Sequence, residues 1–200
     1  SSGLSGPADI ALDTLTGKIY LTNAGKIQRA NLDGTGVEDV VTSEAASNIA
    51  LDRTAGKMYW TGPGKIQRAN LNGSNIEDLV TSETLYATDI TLDAGAGKMY
   101  WTTGEVTFTI QRANLDGSNV EDLITSGLGD PRGIVLDTVA SKMYWADAVT
   151  DKIQRANLDG SNVEDVITSG LIEPHGIALA LATNAGGLVG FDDGGSYTTC

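Results

Sequence analysis

The residue types best suited to chemistry are scarce in this chain. His175 is the only histidine and Cys200 the only cysteine. A lone histidine cannot form a His-pair zinc site, and a lone cysteine excludes both a disulfide framework and cysteine-ligated zinc. Cys200 is therefore a free thiol or a link to another chain. His175 stands in Glu173-Pro-His-Gly176, and the matching place upstream reads Asp130-Pro-Arg-Gly133. A position that accepts either cation suits a loop near a channel mouth, not a general base. A nucleophilic serine motif, a phosphate loop and a dinucleotide fingerprint are all missing.

Carboxylates are abundant, and their spacing is regular. Asp13, Asp52, Asp93 and Asp137 each close an Ile-x-Leu-Asp or Ile-Val-Leu-Asp stretch. Acid–base catalysis needs two carboxyls in different environments, whereas equivalent positions in repeats receive similar ones. These aspartates are expected either to pair with the equally recurrent Lys18, Lys57, Lys98 and Lys142 or to cap the turn that follows them. The string Asp-Gly-Ser-Asn-x-Glu-Asp is rich in oxygen, but it lacks the ligand spacing of an EF-hand loop and reads as turn chemistry. Arg29, Arg68, Arg112 and Arg155 recur in one register, as do Trp60, Trp101 and Trp145. The arginines are expected to bridge neighbouring units or to pack their stems on the tryptophans, and the tryptophans to be core. Asn72-Gly73-Ser74 is an N-glycosylation sequon. No cofactor is implied.

Composition bounds the partners. The 200 residues carry 26 acidic and 13 basic side chains, a net charge of −13. Such a surface is unsuited to nucleic acid, which requires a basic stripe to displace counterions, and to anionic lipid. No apolar run approaches the roughly 20 residues that cross a bilayer. No secretory leader is recognisable, so a signal is expected to be absent or already removed. A hydrophobic content of 40% supports a packed core.

The elements that position these residues come from an internal repeat. Lys26-Ile-Gln-Arg-Ala-Asn-Leu-Asp-Gly34 returns as Lys65 to Gly73, Thr109 to Gly117 and Lys152 to Gly160. The leucines Leu12, Leu51, Leu92, Leu136 and Leu179 are 39, 41, 44 and 43 residues apart, the length of a propeller blade. Each unit predicts four short strands: A over 9–12, B over 18–22, C over 26–31 and D over 37–42 in the first. Asp-Gly, or Asn72-Gly73, joins C to D as a tight hairpin turn. Helical periodicity is absent, so essentially no helix is expected. A four-stranded sheet of this kind needs a neighbouring sheet on each face. A parallel β-solenoid is the rival, but it would not need a hairpin at the same place in every repeat.

The set Leu-Asp…Gly-Lys-Met-Tyr-Trp-Thr…Lys-Ile-Gln-Arg-Ala-Asn-Leu-Asp-Gly-Ser resembles the low-density-lipoprotein-receptor class B repeat, the YWTD β-propeller family. The resemblance spans residues 3 to about 176. It implies an all-β propeller of four-stranded antiparallel blades, normally six, in a secreted or cell-surface protein that binds and scaffolds without catalysis. In that family the aspartate of the name-giving tetrapeptide braces the blade. Only Asp147 keeps it, the other units reading Tyr20-Leu-Thr-Asn23, Tyr59-Trp-Thr-Gly62 and Tyr100-Trp-Thr-Thr103.

The chain is expected to form one domain over 1–200, with blades at about 3–47, 48–88, 89–132 and 133–175 and a partial fifth at 176–200. In that fifth unit Leu188 to Phe191 reads as a degenerate strand B and 196–200 as a short strand C. A chain ending inside a blade has three outcomes: a compact self-closed ring, a piece of a longer propeller, or edges that a second copy completes.

The connections of the four repeats differ in character. A–B and C–D turns are alike, while B–C and D–A loops vary in length and chemistry. In an up-and-down blade these two sets lie on opposite faces, so ligand recognition is expected on the variable one. Its candidate contacts are Tyr86, Phe108, Arg132, Asp151, Glu173 and His175. The leading expectation is a non-enzymatic extracellular module that binds a protein or glycan there. The alternatives are a self-assembling subunit, joined through open blade edges into a ring or filament, and a propeller glycosidase or lyase.

Overall fold

Tyr, Trp, Ile, Val and Thr crowd the repeated segments, and these residues fit a pleated surface. The computed structural model describes residues 4–105, 107–180 and 188–192, and in them finds eighteen strands and no helix. Cys200 and the expected strand over 196–200 lie outside the described residues.

Four sheets have four antiparallel strands each, paired in chain order. Blade 1 is β1 (Pro7–Asp13), β2 (Lys18–Asn23), β3 (Gly25–Asn31) and β4 (Glu38–Ala46). Blade 2 is β5 (Ile49–Asp52), β6 (Lys57–Gly62), β7 (Lys65–Asn70) and β8 (Glu77–Thr81). Blade 3 is β9 (Ala87–Asp93), β10 (Lys98–Thr103), β11 (Thr109–Asn114) and β12 (Glu121–Ile124). Blade 4 is β13 (Pro131–Asp137), β14 (Lys142–Asp147), β15 (Lys152–Asn157) and β16 (Glu164–Ile167). A two-stranded sheet follows, β17 (Gly176–Ala180) against β18 (Leu188–Asp192), with Ala178 opposite Gly190. The degenerate strand B read from Leu188 to Phe191 is thus a strand.

The first strand of each sheet packs beside the first strand of the next, from β1 through β5, β9 and β13 to β17. The sheets therefore stand as propeller blades with strand A innermost. Among the described residues, buried apolar side chains form three separate clusters, each between two blades. The first joins Tyr20, Ile27 and Val41 of blade 1 to Ile49, Met58, Trp60 and Ala69 of blade 2. The same constellation recurs between blades 2 and 3 and between blades 3 and 4. Blades 1 to 3 thus have a front built on a Tyr-Ile pair, and blades 2 to 4 a back carrying the Ile-Met-Trp-Ala set. Trp60, Trp101 and Trp145 are fully buried, as expected of core residues. The indole Nε1 of Trp60 donates to Gln67 Oε1 at 3.0 Å, and that of Trp101 to Gln111 Oε1 at 2.8 Å, so their polar edges are satisfied within the sheet.

Polar seams reinforce the apolar ones. Arg29 Nη1 donates to the carbonyl of Leu71 one blade on, Arg68 to that of Leu115 and Arg112 to that of Leu158. The arginines thus bridge blades, and their guanidinium groups lie about 6 Å from the ring centres of Tyr20, Tyr59 and Tyr100, not over tryptophan. The C–D turns carry a further constraint. Gly73, Gly117 and Gly160 have φ near +83°. A Cβ there would stand 2.2, 2.3 and 2.5 Å from the carbonyl oxygens of Val40, Leu79 and Leu123 in the preceding blade. Glycine serves both the hairpin turn and the approach of the neighbour.

Candidate ligand-binding face

Backbone hydrogen bonds sort the connections into two faces. Leu32 N donates to Gly17 O, Leu71 N to Gly56 O, Leu115 N to Gly97 O and Leu158 N to Ser141 O, tying each C–D turn to its own A–B turn. On the opposite face the B–C loops meet the D–A loops, through Gly64 N to Leu85 O, Gly104 N to Tyr86 O and Ala148 N to Asp130 O.

The first face repeats the same chemistry in every blade. Asp13, Asp52, Asp93 and Asp137 accept backbone N–H groups of the A–B turn, from Leu15 and Thr16, Ala55, Ala96, and Val139 and Ala140. The Thr16 hydroxyl also binds Asp13 and, with these N–H groups, holds its carboxyl below the ordinary range. Of the two expected roles, capping is the one realised. The lysines instead donate to strand-C asparagines: Lys18 to Asn31, Lys57 to Asn70, Lys98 to Asn114 and Lys142 to Asn157, all within 2.6–2.7 Å. In the C–D turns Asp33, Asp116 and Asp159 accept the N–H and hydroxyl of Thr35, Ser118 and Ser161, which lowers their carboxyls. The oxygen-rich string is therefore occupied by its own turn. Asn72 takes the same place in blade 2, with its Oδ1 bound to Ser74 N and Oγ, and is exposed.

The second face is individual. Asp147 accepts from Gly129 N at 2.7 Å, Asp130 N at 3.1 Å and Thr150 N at 3.0 Å, clamping the D–A and B–C loops together. Asn23 accepts Ser5 N and donates to Gln28. Thr103 bonds to Thr107 and Thr109 within its own loop. Gly62 has no side chain, and a Cβ there would lie 3.0 Å from Ala45 O, so close backbone approach stands in for the brace. One repeat position thus has four local solutions.

The expected contact residues fall into two groups. Tyr86 and Phe108, each 38% exposed, flank blade 3 on the variable face, with Gly104 bonded to the Tyr86 carbonyl. Tyr86 borders an open groove of about 610 Å³ with Pro63, Gly64, Thr81, Ser82 and Glu83. Asp151, Glu173 and His175 form the second group: Asp151 Oδ1 accepts Glu173 N at 2.8 Å, and His175 Nδ1 lies 2.6 Å from Glu173 O. All three are exposed. Arg132 sits between the groups, its guanidinium paired with Asp130 at 2.6 Å.

Two carboxylates at the inner edge have no counterpart among the sequence-derived candidates. Asp9 accepts Ile10 N and, across the blade boundary, Ile49 N at 2.7 Å. Asp89 accepts Ile90 N and Ile134 N, the latter also at 2.7 Å. Burial pushes both carboxyls up, Asp89 to about 7, with the charge of Asp9 adding to the effect. The available signal was the Asp-Ile or Asn-Ile pair opening strand A at Asp9, Asn48 and Asp89.

Comparisons with known proteins agree with this architecture. The family model for the low-density lipoprotein receptor repeat class B matches residues 97–138 and 141–179. The fold superposes on a chain of the nidogen/laminin complex with a TM-score of 0.83 at 24% identity, over 94% of this chain and 72% of that one. A putative gluconolactonase gives a TM-score of 0.76 at 14% identity, over 98% and 74%. A catalytically inactive virginiamycin B lyase from Staphylococcus aureus, solved with quinupristin, gives 0.74 at 18% identity, over 96% and 64%. No curated protein matches the sequence.

Proposed function

We propose that this chain, a β-propeller carrying low-density lipoprotein receptor class B repeats, is a non-catalytic extracellular module that binds a protein through its B–C and D–A loops. The observation that carries this reading is the asymmetry of the two faces. On one, the capping aspartates, the lysine–asparagine pairs and the C–D turn hydrogen bonds recur from blade to blade. On the other, loops of differing length present Tyr86 beside an open groove, exposed Phe108, and the Asp151–Glu173–His175 cluster. Exposed aromatics on a rigid frame are typical anchors of protein recognition. The nidogen/laminin complex supports the choice of a protein ligand, because a chain of like fold takes part in an assembly there.

A catalytic reading, as in the gluconolactonase and lyase neighbours, finds less support. The carboxyls shifted towards neutrality, Asp9 and Asp89, are committed to backbone N–H groups of neighbouring strands. The single histidine lies exposed in a loop.

The test uses the immobilised chain against a panel of secreted and matrix proteins and a glycan array. The expected result is a protein ligand whose affinity falls at least about tenfold in the Tyr86→Ala/Phe108→Ala/Arg132→Ala variant. A control variant, Thr35→Ala/Ser118→Ala on the uniform face, should bind normally. Equal loss in both variants would refute the face assignment, and a glycan as the sole ligand would change the partner class.

A further inference from the structure

The back of blade 1 carries apolar residues at the same positions as the backs of blades 2 to 4, yet no described residue covers it. Ile10 and Leu21 correspond to Ile90 and Trp101, and Ile19 to Met99. Ile90, Met99 and Trp101 are buried, whereas Ile10 is 59% exposed and Ile19 and Leu21 are half-buried. Together with Pro7 and Val37 they line an open groove of about 760 Å³. Gly34, on its rim, has the φ of its equivalents but open space where they meet a carbonyl. The Leu32 carbonyl matches those of Leu71, Leu115 and Leu158, yet no arginine among the described residues reaches it.

The complementary half is unmatched at the other end of the arc. Arg155 is paired with Glu164 but, unlike Arg29, Arg68 and Arg112, bonds to no carbonyl of a following blade among the described residues. Val166 is 40% exposed, whereas its counterparts Val40, Leu79 and Leu123 are partly buried against the next blade. The β17–β18 sheet packs through β17 on β13 and β14, the inner half of blade 4. The outer half, which elsewhere meets the glycine turn and the leucine carbonyl, meets neither among the described residues.

We propose that the back of blade 1 docks the front of blade 4 of a second copy of this chain, head to tail. The interface continues the one seen three times within the chain. Ile10, Ile19 and Leu21 enter the place of an interior Ile-Met-Trp set, Arg155 of the second copy donates to the Leu32 carbonyl, and Val166 lies over Gly34. The two-stranded β17–β18 sheet gives way to a four-stranded blade, which covers the outer half as well. Such a contact is heterologous, so it yields a ring or an open filament according to whether its rotation closes.

The decisive experiment is complementation, read as mass by light scattering over a range of concentrations. Ile10→Glu places a charge on the blade 1 surface, and Val166→Glu places one on blade 4. Both sites are exposed in the single chain, so each variant should keep its fold, checked by circular dichroism, and Leu21→Glu is the reserve. The wild-type chain is expected to show a concentration-dependent mass above that of one chain. Each variant alone should remain at one chain, its association at least about tenfold weaker because the contact would bury an unpaired charge. An equimolar mixture should recover a mass of two chains and go no further, since each variant retains one working end. A wild-type chain of single mass at every concentration would overturn the proposal. So would assembly that survives Val166→Glu but not Ile10→Glu, because that pattern marks a symmetric contact of blade 1 with itself.

Discussion

The back of blade 1 and the back of blade 3 are apolar at the same positions and live in opposite surroundings. Ile90 is 4% exposed and Ile10 59%. Trp101 is sealed between two sheets, whereas Leu21 in the same register borders an open groove. The strand pairing is nonetheless the same: Tyr100 lies opposite Arg112 as Tyr20 lies opposite Arg29. Local sequence thus suffices to make a blade, while the worth of its apolar face depends on the neighbour, as in other stacked repeats.

The sharpest way to break this comparison is to truncate both positions. Trp101→Ala should lower stability by about 3–5 kcal/mol, since it opens a cavity in a close-packed seam. Leu21→Ala should cost less than about 1 kcal/mol, because much of its surface is already wet. Denaturant unfolding of the two variants at dilutions where the chain is single measures the difference, and equal losses there would mean that the back of blade 1 is covered within one chain.

A smaller difference is expected at the C–D turns. Gly34→Ala meets only the strain of positive φ, about 1–2 kcal/mol. Gly117→Ala meets the same strain and also drives a Cβ to within 2.3 Å of the Leu79 carbonyl oxygen, so its loss should be the greater. Thermal melts of the pair check this, and equality would show that the blade 2–blade 3 seam yields without cost.

The smallest effect is a pH dependence that separates the inner edge from the outer surface. Folded Asp89 keeps its proton to about 7, against 3.8 for an ordinary aspartic acid. The folded form therefore binds the extra proton between those values, and stability falls as pH rises through that window. Surface carboxylates drawn down by Lys and Arg partners, such as Asp39, Glu77 and Glu121, act in the opposite sense. Their contribution is present above the ordinary carboxyl value and is lost as pH falls below it. Melting temperature should therefore peak near pH 5 and decline by pH 8. In Asp89→Asn the alkaline decline should flatten, although the variant is less stable at pH 5, since an amide offers one acceptor where the carboxyl offers two. An unaltered decline would move its origin away from Asp89.

Strands, turns and core were legible because each is a local property repeated four times. Asp-Gly announces its hairpin, and Met-Tyr-Trp announces a strand covered on both faces. What crosses a blade boundary was not legible. Nothing in the string Asp9-Ile10 tells that its carboxylate reaches Ile49 N, and nothing in Ile10 tells that it is exposed where Ile90 is buried. The arginines could be read as bridging or as stacking on tryptophan, and only the structure shows that they bridge, with tyrosine beneath. Of the loop residues chosen by their variability, Asp151, Glu173 and His175 proved mutually bonded through the backbone of Glu173. Chain separation of more than twenty residues hid that contact.

The described core residues fall into three clusters, each between two blades. Each blade is held chiefly by its immediate neighbours, so the free energy of opening varies along the chain. Among these clusters blade 1 takes part in one, whereas blades 2 and 3 each take part in two, so opening either of the latter gives up more. In amide hydrogen exchange the strands of blades 2 and 3 should therefore be the slowest and those of blade 1 faster.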